Sequence, residues 1–308
     1  MRIIITGGTG LIGKQLALAL AQKGYEVIVL SRSPERVTGF GENIHLVRWD
    51  GKTAAGWGEL ADGSGAIINL AGESVAGDSL LSIRWTDDRK RSIRESRINA
   101  GQAVVEAVEA AKQRPSLVIQ ASAVGYYGSR SDGIFDESAP AGSDFLANIC
   151  LDWEAVTRPV ETMGVRRAIV RIGVVLASQG GALPRQILPF RFFAGGPIGS
   201  GRQGYPWIHL EDVVGAMVFL IDTPQAQGVY NLTAPNPVTN AEFGKALGRI
   251  MHRPSIVPAP AFVFKLAFGE ASAILLDGQM PIPARLLQAG YQFKYPQVQE
   301  ALSSILGN

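Results

Sequence analysis

Residues 2–13 read Arg2-Ile3-Ile4-Ile5-Thr6-Gly7-Gly8-Thr9-Gly10-Leu11-Ile12-Gly13, an apolar β-branched run, a glycine-rich turn and the opening of a helical pattern. Three consecutive isoleucines suit a strand covered on both faces, as strands of a parallel sheet are. Gly8 and Gly10 permit a tight turn and a close approach of the backbone to a diphosphate. Gly13 lets the helix pack closely on the strand, and the free amides at the helix start meet the phosphate charge. Any Gly-rich turn has this composition. Its position, in the first βα turn of an alternating pattern, is what makes it specific. The stretch predicts a dinucleotide held by Gly7, Gly8, Thr9, Gly10, Leu11, Ile12 and Gly13.

Outward from this turn, strands are predicted at Arg2 to Thr6, Glu26 to Leu30, Ile44 to Trp49, Ala66 to Leu70, Leu117 to Ala121 and Arg167 to Leu176. Helices are predicted near Leu11 to Gln22, Trp85 to Lys112 and Asp144 to Met163. Short apolar blocks alternating with longer helical periods predict an α/β fold, a doubly wound parallel sheet of the Rossmann type. The nucleotide-binding domain is placed at residues 1–235, with a Gly/Pro-rich substrate loop at 180–206 inserted in it. Beyond that loop come a helix at Glu211 to Thr223 and a strand at Val229 to Leu232. Thr239-Asn240-Ala241-Glu242 has capping-box spacing and opens another helix. Prolines cluster from Arg253 onward, and residues 236–308 are read as a smaller C-terminal substrate or lid domain.

Composition narrows the function. The 308 residues carry 29 basic and 27 acidic side chains, a net charge of +2, so no overall field attracts nucleic acid or an anionic membrane. Any anion site must be local. Of the bases 21 are arginine and eight lysine, a usage suited to planar recognition of phosphate or carboxylate. One cysteine, Cys150, permits no internal disulfide, and a cytoplasmic location is expected. The chain runs from Met1 straight into the first strand without the apolar stretch of a signal peptide. Its longest apolar runs, such as Val213 to Ile221, are short of the ~20 residues that span a bilayer. Three scattered histidines and one thiol give no metal pattern.

The end of the second strand decides which dinucleotide is bound. An NAD enzyme usually places an acid there for the ribose hydroxyls. Here the strand ends Leu30-Ser31-Arg32-Ser33-Pro34, and Arg32 can bracket a 2′-phosphate, so NADP(H) is predicted over NAD(H). Ser33 as a helix N-cap would fix where Arg32 points. The bland alternative is a solvated Arg32 beside a helix start. Asp50, ending the third strand, is placed to meet the adenine edge. The turn Leu70-Ala71-Gly72 lets the backbone pass beside the cofactor. Plain loop chemistry explains Asp50 and this turn equally well.

These motifs together with Asn69-Leu70-Ala71-Gly72, Tyr127-Gly128, Asp136-Glu137-Ser138-Ala139-Pro140 and Trp207-Ile208-His209-Leu210-Glu211-Asp212-Val213 resemble extended short-chain dehydrogenases/reductases. Ala71-Gly72-Glu73-Ser74, Trp85-Thr86, Ser96-Arg97, Trp153-Glu154, Gly195 to Gln203, Phe268-Gly269-Glu270 and Gly290 to Phe293 are similar to an atypical branch, the YfcH-like epimerase-family proteins. The resemblance covers nearly the whole chain. It implies a nicotinamide cofactor on the sheet and a pocket for a small substrate between the sheet and the C-terminal region. It supplies no substrate, and it leaves the oligomeric state open.

Such enzymes use a Tyr-x-x-x-Lys pair, and none of the seven tyrosines here has lysine four residues on. The glutamate that usually follows the lysine corresponds to Glu154, which sets Leu146 and Cys150 in the Tyr and Lys positions. Aligning on Tyr127-Gly128 puts Ala123 where the catalytic Ser/Thr lies, with Ser122 one place earlier. An unassisted tyrosine of pKa ~10 is only about 0.1% ionised at neutral pH. The substitute candidates are Ser122, Tyr126 (with Arg130 four residues on), Tyr127 in the loop from Gly125 to Asp132, and Glu73 at the carboxyl end of the fourth strand. Packing beside the nicotinamide, for the tyrosines, and a solvated loop glutamate are their bland readings.

Gly72-Glu73-Ser74-Val75-Ala76 falls short of a nucleophile elbow, because Ala76 replaces its last glycine. His209 is expected to be structural, with Glu211 and Asp212 favouring a helix N-terminus. In the basic run from Arg84 to Arg97, Lys90, Arg94 and Arg97 share a helical face. That face is either solvated or lets Arg97 reach a phosphate of cofactor or substrate. Arg202, in the glycine-rich loop, is a second candidate contact to a phosphate-bearing substrate. Two functions follow: an NADP(H)-binding oxidoreductase or sugar-nucleotide-epimerase-like enzyme, or a non-catalytic NADPH sensor with its proton relay dismantled.

Overall fold

The computed structural model describes residues 1–77, 83–130 and 133–307. Seven strands form one parallel sheet: β1 Arg2–Thr6, β2 Glu26–Ser31, β3 Ile44–Arg48, β4 Ala66–Asn69, β5 Leu117–Ala123, β6 Arg166–Ile172 and β7 Gly228–Leu232. Their order is β3-β2-β1-β4-β5-β6-β7. The chain therefore winds one way from β1 and the other way from β4. The register is fixed by pairs such as Ile4↔Ile28 and Ile4↔Ile67. A ligand crevice lies where the winding reverses, outside the carboxyl ends of β1 and β4.

Helices α1 Leu11–Gln22, α2 Asp87–Ala110, α3 Phe145–Val156, α4 Leu183–Arg191, α5 Leu210–Asp222, α6 Asn240–Met251, α7 Ala261–Phe268 and α8 Val298–Leu306 carry most of the remaining order. The side chains of β1 explain its unbroken apolar run. Ile3 and Ile5 face Leu16 and Leu20 of α1 and Val213 and Met217 of α5, whereas Ile4 faces Ala100, Val104 and Val108 of α2. Both faces are dry. A third cluster joins Leu176, Leu183, Phe190 and Trp207 to Phe243, Leu247, Ala301 and Leu302, so residues 174–209 and the C-terminal helices share one core. Among the described residues no helix is long and apolar enough to cross a membrane.

Three sequence expectations are corrected. The strand expected from Arg167 to Leu176 is two: β6 ends at Ile172, and Val174–Leu176 pairs instead with Trp207–His209. Gly173 makes the break, because a Cβ there would sit 2.2 Å from the Pro206 carbonyl oxygen. The helix expected from Asp144 to Met163 ends at Val156, and a separate turn starts at Pro159. The basic face of α2 is a solvated stripe only in part, since Arg94 is exposed and Arg97 is not. Lys90 pairs with Glu270, Arg94 with Asp152, and Arg97 is buried under Trp153. The capping box at Thr239 forms with both of its hydrogen bonds, as its spacing predicts.

Candidate functional site: a nucleotide cradle and two cavities

The glycine turn is shaped by contacts at each of its glycines. Gly7 has φ +66°, and a Cβ there would lie 2.8 Å from the Leu70 carbonyl. A Cβ on Gly13 would lie 2.4 Å from the Gly7 oxygen, so helix and turn can meet only at glycine. At Gly8 the constraint is the Val29 side chain, 2.8 Å from such a Cβ, rather than room for a ligand alone. Gly10 is the least crowded, a Cβ there lying 3.3 Å from the Gly7 oxygen. It caps α1 without a side chain, leaving the first-turn amides of Leu11, Ile12 and Gly13 uncapped beside exposed Thr9. That cradle fits a diphosphate.

Composition did not reveal what holds the cradle against β4. Thr6 donates to Asn69 Oδ1 (2.6 Å) and accepts from the Ala71 amide (3.2 Å), while Asn69 donates to Gln120 Oε1 (2.9 Å). This buried chain runs across the tips of β1, β4 and β5 and sets the Leu70-Ala71-Gly72 turn beside Gly7. Asn69 was legible only as part of a quoted motif.

At the end of β2, Ser31 is buried and accepts from the Ser33 amide (3.2 Å). Ser33 does not cap the following turn with its side chain, contrary to expectation. Arg32 is exposed, its chain lying 3.6 Å from the Cβ position of Gly51, with no ion-pair partner among the described residues. The neighbouring acid Glu35 is taken by Arg48 (2.7 Å), which also donates to the Arg32 carbonyl (3.0 Å). Asp50 serves its own loop: Oδ1 accepts from the amides of Lys52 (2.7 Å) and Thr53 (2.9 Å), Oδ2 from the Thr53 hydroxyl. Those donors hold its carboxyl below the ordinary range.

The residues singled out for proton transfer lie in a different setting. Ser122, 2% exposed, donates to Glu154 Oε1 (2.6 Å). Arg171 grips both oxygens of Glu154 (2.8 and 2.9 Å) and donates to the Tyr127 hydroxyl (3.1 Å), which itself donates to Asn231 (2.7 Å). Tyr127 is 1% exposed, and burial raises its pKa. Tyr126 lies flat against the Arg171 guanidinium, so its nearby cation comes from β6 and not from Arg130, which rests on Phe135. The expected loop here contains a single helical turn, Val124–Tyr127, and its last two residues, 131–132, lie outside the described residues. Glu73 is bound to α2, with Arg89 on one oxygen (2.6 Å) and Ser92 on the other.

A cavity of about 300 Å³ opens at the carboxyl ends of the sheet, and none of Ser122, Tyr126, Tyr127 and Glu73 lines it. Its walls include Trp153 together with Ala123, Leu146 and Cys150, the last three being the positions at which the family pattern would set its catalytic groups. Arg97 also lines it. This guanidinium is 8% exposed, donates to the Glu73 and Ile93 carbonyls (3.0 and 2.9 Å), and is pushed down to about 10 by burial. Gly72 makes room for it, a Cβ there lying 3.1 Å from the guanidinium carbon. Burial also pushes the Cys150 thiol up to about 11, so it stays protonated at neutral pH. Arg202 is exposed and outside the lining, whereas its neighbour Gln203 lines the cavity. Asp144 and Asp277 face the same cavity, and burial and that like charge raise Asp277. These two acids escaped the sequence reading because they are far apart in the chain.

Residues 3–233 match the NAD dependent epimerase/dehydratase family, and residues 259–305 match a domain of unknown function, DUF1731. The chain is 39% identical to the epimerase family protein YfhF of Bacillus subtilis, over 100% of this chain and 99% of that one. It is 39% identical to a chloroplastic SDR39U1 homolog of Arabidopsis thaliana, over 99% of this chain and 87% of the relative. The crystal structure of human epimerase family protein SDR39U1 with NADPH superposes with a TM-score of 0.89 at 36% identity, each chain covered in full. The chain belongs to the NAD-dependent epimerase/dehydratase family.

Proposed function

We propose that this member of the NAD-dependent epimerase/dehydratase family is an NADP(H)-dependent oxidoreductase or epimerase-like enzyme of the cytoplasm, acting on a small molecule in the cavity at Arg97. The observation that carries the reading is Arg97 itself, a desolvated guanidinium that lines the cavity and packs on Gly72 of the turn beside the nucleotide cradle. NADPH in the human relative supports the cofactor assignment. Gly7, Gly10 and Gly13 with the α1 amides would hold the diphosphate, and Arg32 the 2′-phosphate. The nicotinamide, when bound, supplies a hydride donor or acceptor. Arg97 keeps its charge at neutral pH and donates to a substrate carbonyl oxygen, or to a phosphate, in a site that excludes water. Trp153 and Leu146 give the site apolar walls. Arg202, outside the cavity, is a contact only for a substrate group that projects from it.

A second reading is a protein that senses NADPH without turnover. It is favoured by Leu146 and Cys150 in the cavity wall and by the saturation of Ser122 and Tyr127 inside the protein. Titration of cofactor-stripped protein with NADPH and NADH, repeated on Arg32→Ala, tests the shared premise. A charge-assisted contact to the 2′-phosphate is worth ~1.5 to 3 kcal/mol, so NADPH affinity falls roughly 10- to 150-fold, to the NADH level. An unchanged affinity defeats the NADP assignment. Oxidation of NADPH by carbonyl compounds, followed by absorbance, then separates enzyme from sensor.

A further inference from the structure

Beside the cavity at Arg97 lies a larger one, of about 660 Å³. The two share Ala182, Gln186, Ile198, Asn240, Ile274 and Leu275 as a common wall. The outer cavity is then closed by Phe190, Phe243, Leu247, Val257, Phe264 and Phe268. Its one ionisable lining residue among those described, Arg185, is directed at the carbonyls of Ala76 and Gly77 (3.5 and 3.1 Å). Among the described residues its polar lining is limited to Ser74, Arg185, Gln186 and Asn240. A mainly apolar space of this size is ordinary for a ligand of drug-like dimensions.

The surface over this cavity is apolar as well. Helix α7, Ala-Phe-Val-Phe-Lys-Leu-Ala-Phe, has no buried residue, and it turns Phe264 and Phe268 inward to the cavity while Phe262 and Leu266 are 69% and 79% exposed. Val257 belongs both to the cavity wall and to the exposed apolar surface, beside Ile256 at 76% exposure. An exposed apolar patch beside an apolar cavity marks a ligand entrance.

We propose that the outer cavity receives the apolar chain of an amphipathic substrate, an aliphatic or isoprenoid ketone, aldehyde or alcohol whose oxygen reaches Arg97 in the inner cavity. This rests on the enzyme reading above and names its substrate class. The polar end is met by Arg97, the one cation lining the inner cavity among the described residues, the chain by phenylalanine and leucine, and Ile274 and Leu275 stand at the neck between them. A sugar nucleotide would place its diphosphate against these apolar walls, where the one cation among the described lining residues, Arg185, is already directed at two backbone carbonyls.

Binding of 1-hexanol, 1-octanol and 1-decanol to the NADPH-loaded protein, measured by calorimetry, tests this. Each methylene moved from water into an apolar site is worth about fourfold in affinity, so each two-methylene step of the series tightens binding roughly 15-fold. Ile274→Trp, which fills the neck, and Phe264→Asp, which charges the wall, each weaken decanol at least tenfold while NADPH affinity is retained. Leu266→Ser, on the outer face of α7, leaves both unchanged. A flat chain-length series overturns the proposal. So does decanol binding that survives both cavity variants and is lost in Leu266→Ser, since the chain would then lie on the surface. If the unsubstituted protein binds no NADPH while the same alkanol series on the cofactor-free protein keeps its slope, the enzyme reading alone is defeated.

Discussion

The two ends of one sheet treat their polar atoms in opposite ways. At the β1–β2 end the amides of α1 have no cap and Arg32 has no ion pair among the described residues. At the β5–β6 end Ser122, Glu154, Arg171, Tyr127 and Asn231 satisfy one another within the protein. Open donors cost little where solvent reaches them and become a site when an anion arrives. Buried donors must be paired, and once paired they are fixed. The first end is open to an anion, and the second is a strut under the cavity. A motif resemblance at β5 therefore locates the active region without identifying its working groups.

The strut is the easiest half of this contrast to break. Arg171 is 3% exposed and bidentate on Glu154. Arg171→Met leaves a buried carboxylate without its cation, and the expected loss of stability in chemical denaturation is about 3 to 5 kcal/mol. Adding Glu154→Leu to that variant restores much of the loss, because no charge is then stranded. NADPH affinity changes in neither. A variant that kept its stability but lost all turnover would place Arg171 in the chemistry and erase the distinction drawn between the two ends.

A pH scan sharpens the same contrast with a smaller effect. His209 caps α5 through Nδ1, which accepts from the Glu211 amide (3.0 Å), and its ring packs on Tyr295. Burial pushes the imidazole down to about 4. Its folded pKa lies below its unfolded value of ~6.5, so the stability it contributes is complete above pH ~6.5 and is lost as pH falls towards 4. The drop is on the order of 2 to 3 kcal/mol. In His209→Gln the stability is lower at neutral pH, but its slope between these pH values is flatter by that amount. An unchanged slope would mean that the imidazole is already charged in the native protein.

The glycine turn, both faces of β1, the sheet and the capping box were legible in the sequence because each is a local pattern: adjacent residues dictate a period, a turn or a cap. The structural role of His209 was legible for the same reason. The break at Gly173 was not, since it depends on Pro206 approaching from 33 residues away. Burial of Tyr127 and Ser122 was hidden likewise, because Arg171 and Glu154 come from different elements and spacing along the chain says nothing about their meeting. Register could show that Leu146 and Cys150 replace the catalytic pair. It could not show that Arg97 would reach the same cavity from α2, where its helical face also carries Lys90 and Arg94. The preference of Arg97 for the interior is set by Trp153 and Gly72, neither of which is near it in the chain.

The smallest effect tests whether the open end is also an electrostatically prepared one. Arg48 holds Glu35 (2.7 Å) and donates to the Arg32 carbonyl, so the carboxylate nearest in sequence to Arg32 is neutralised before any phosphate binds. Both partners are more than half exposed, so the pair itself contributes little to stability. Its influence on a bound anion is larger than on the fold, since an unpaired Glu35 would repel a 2′-phosphate over a distance that water screens only partly. Arg48→Ala should therefore weaken NADPH by about two- to fivefold at low salt, with NADH unchanged. The difference should vanish near 1 M salt, where the screening length is ~3 Å. A loss equal for both cofactors and insensitive to salt would mean that Arg48 acts by holding the Arg32 backbone in place, and that the open end owes its selectivity to shape rather than charge.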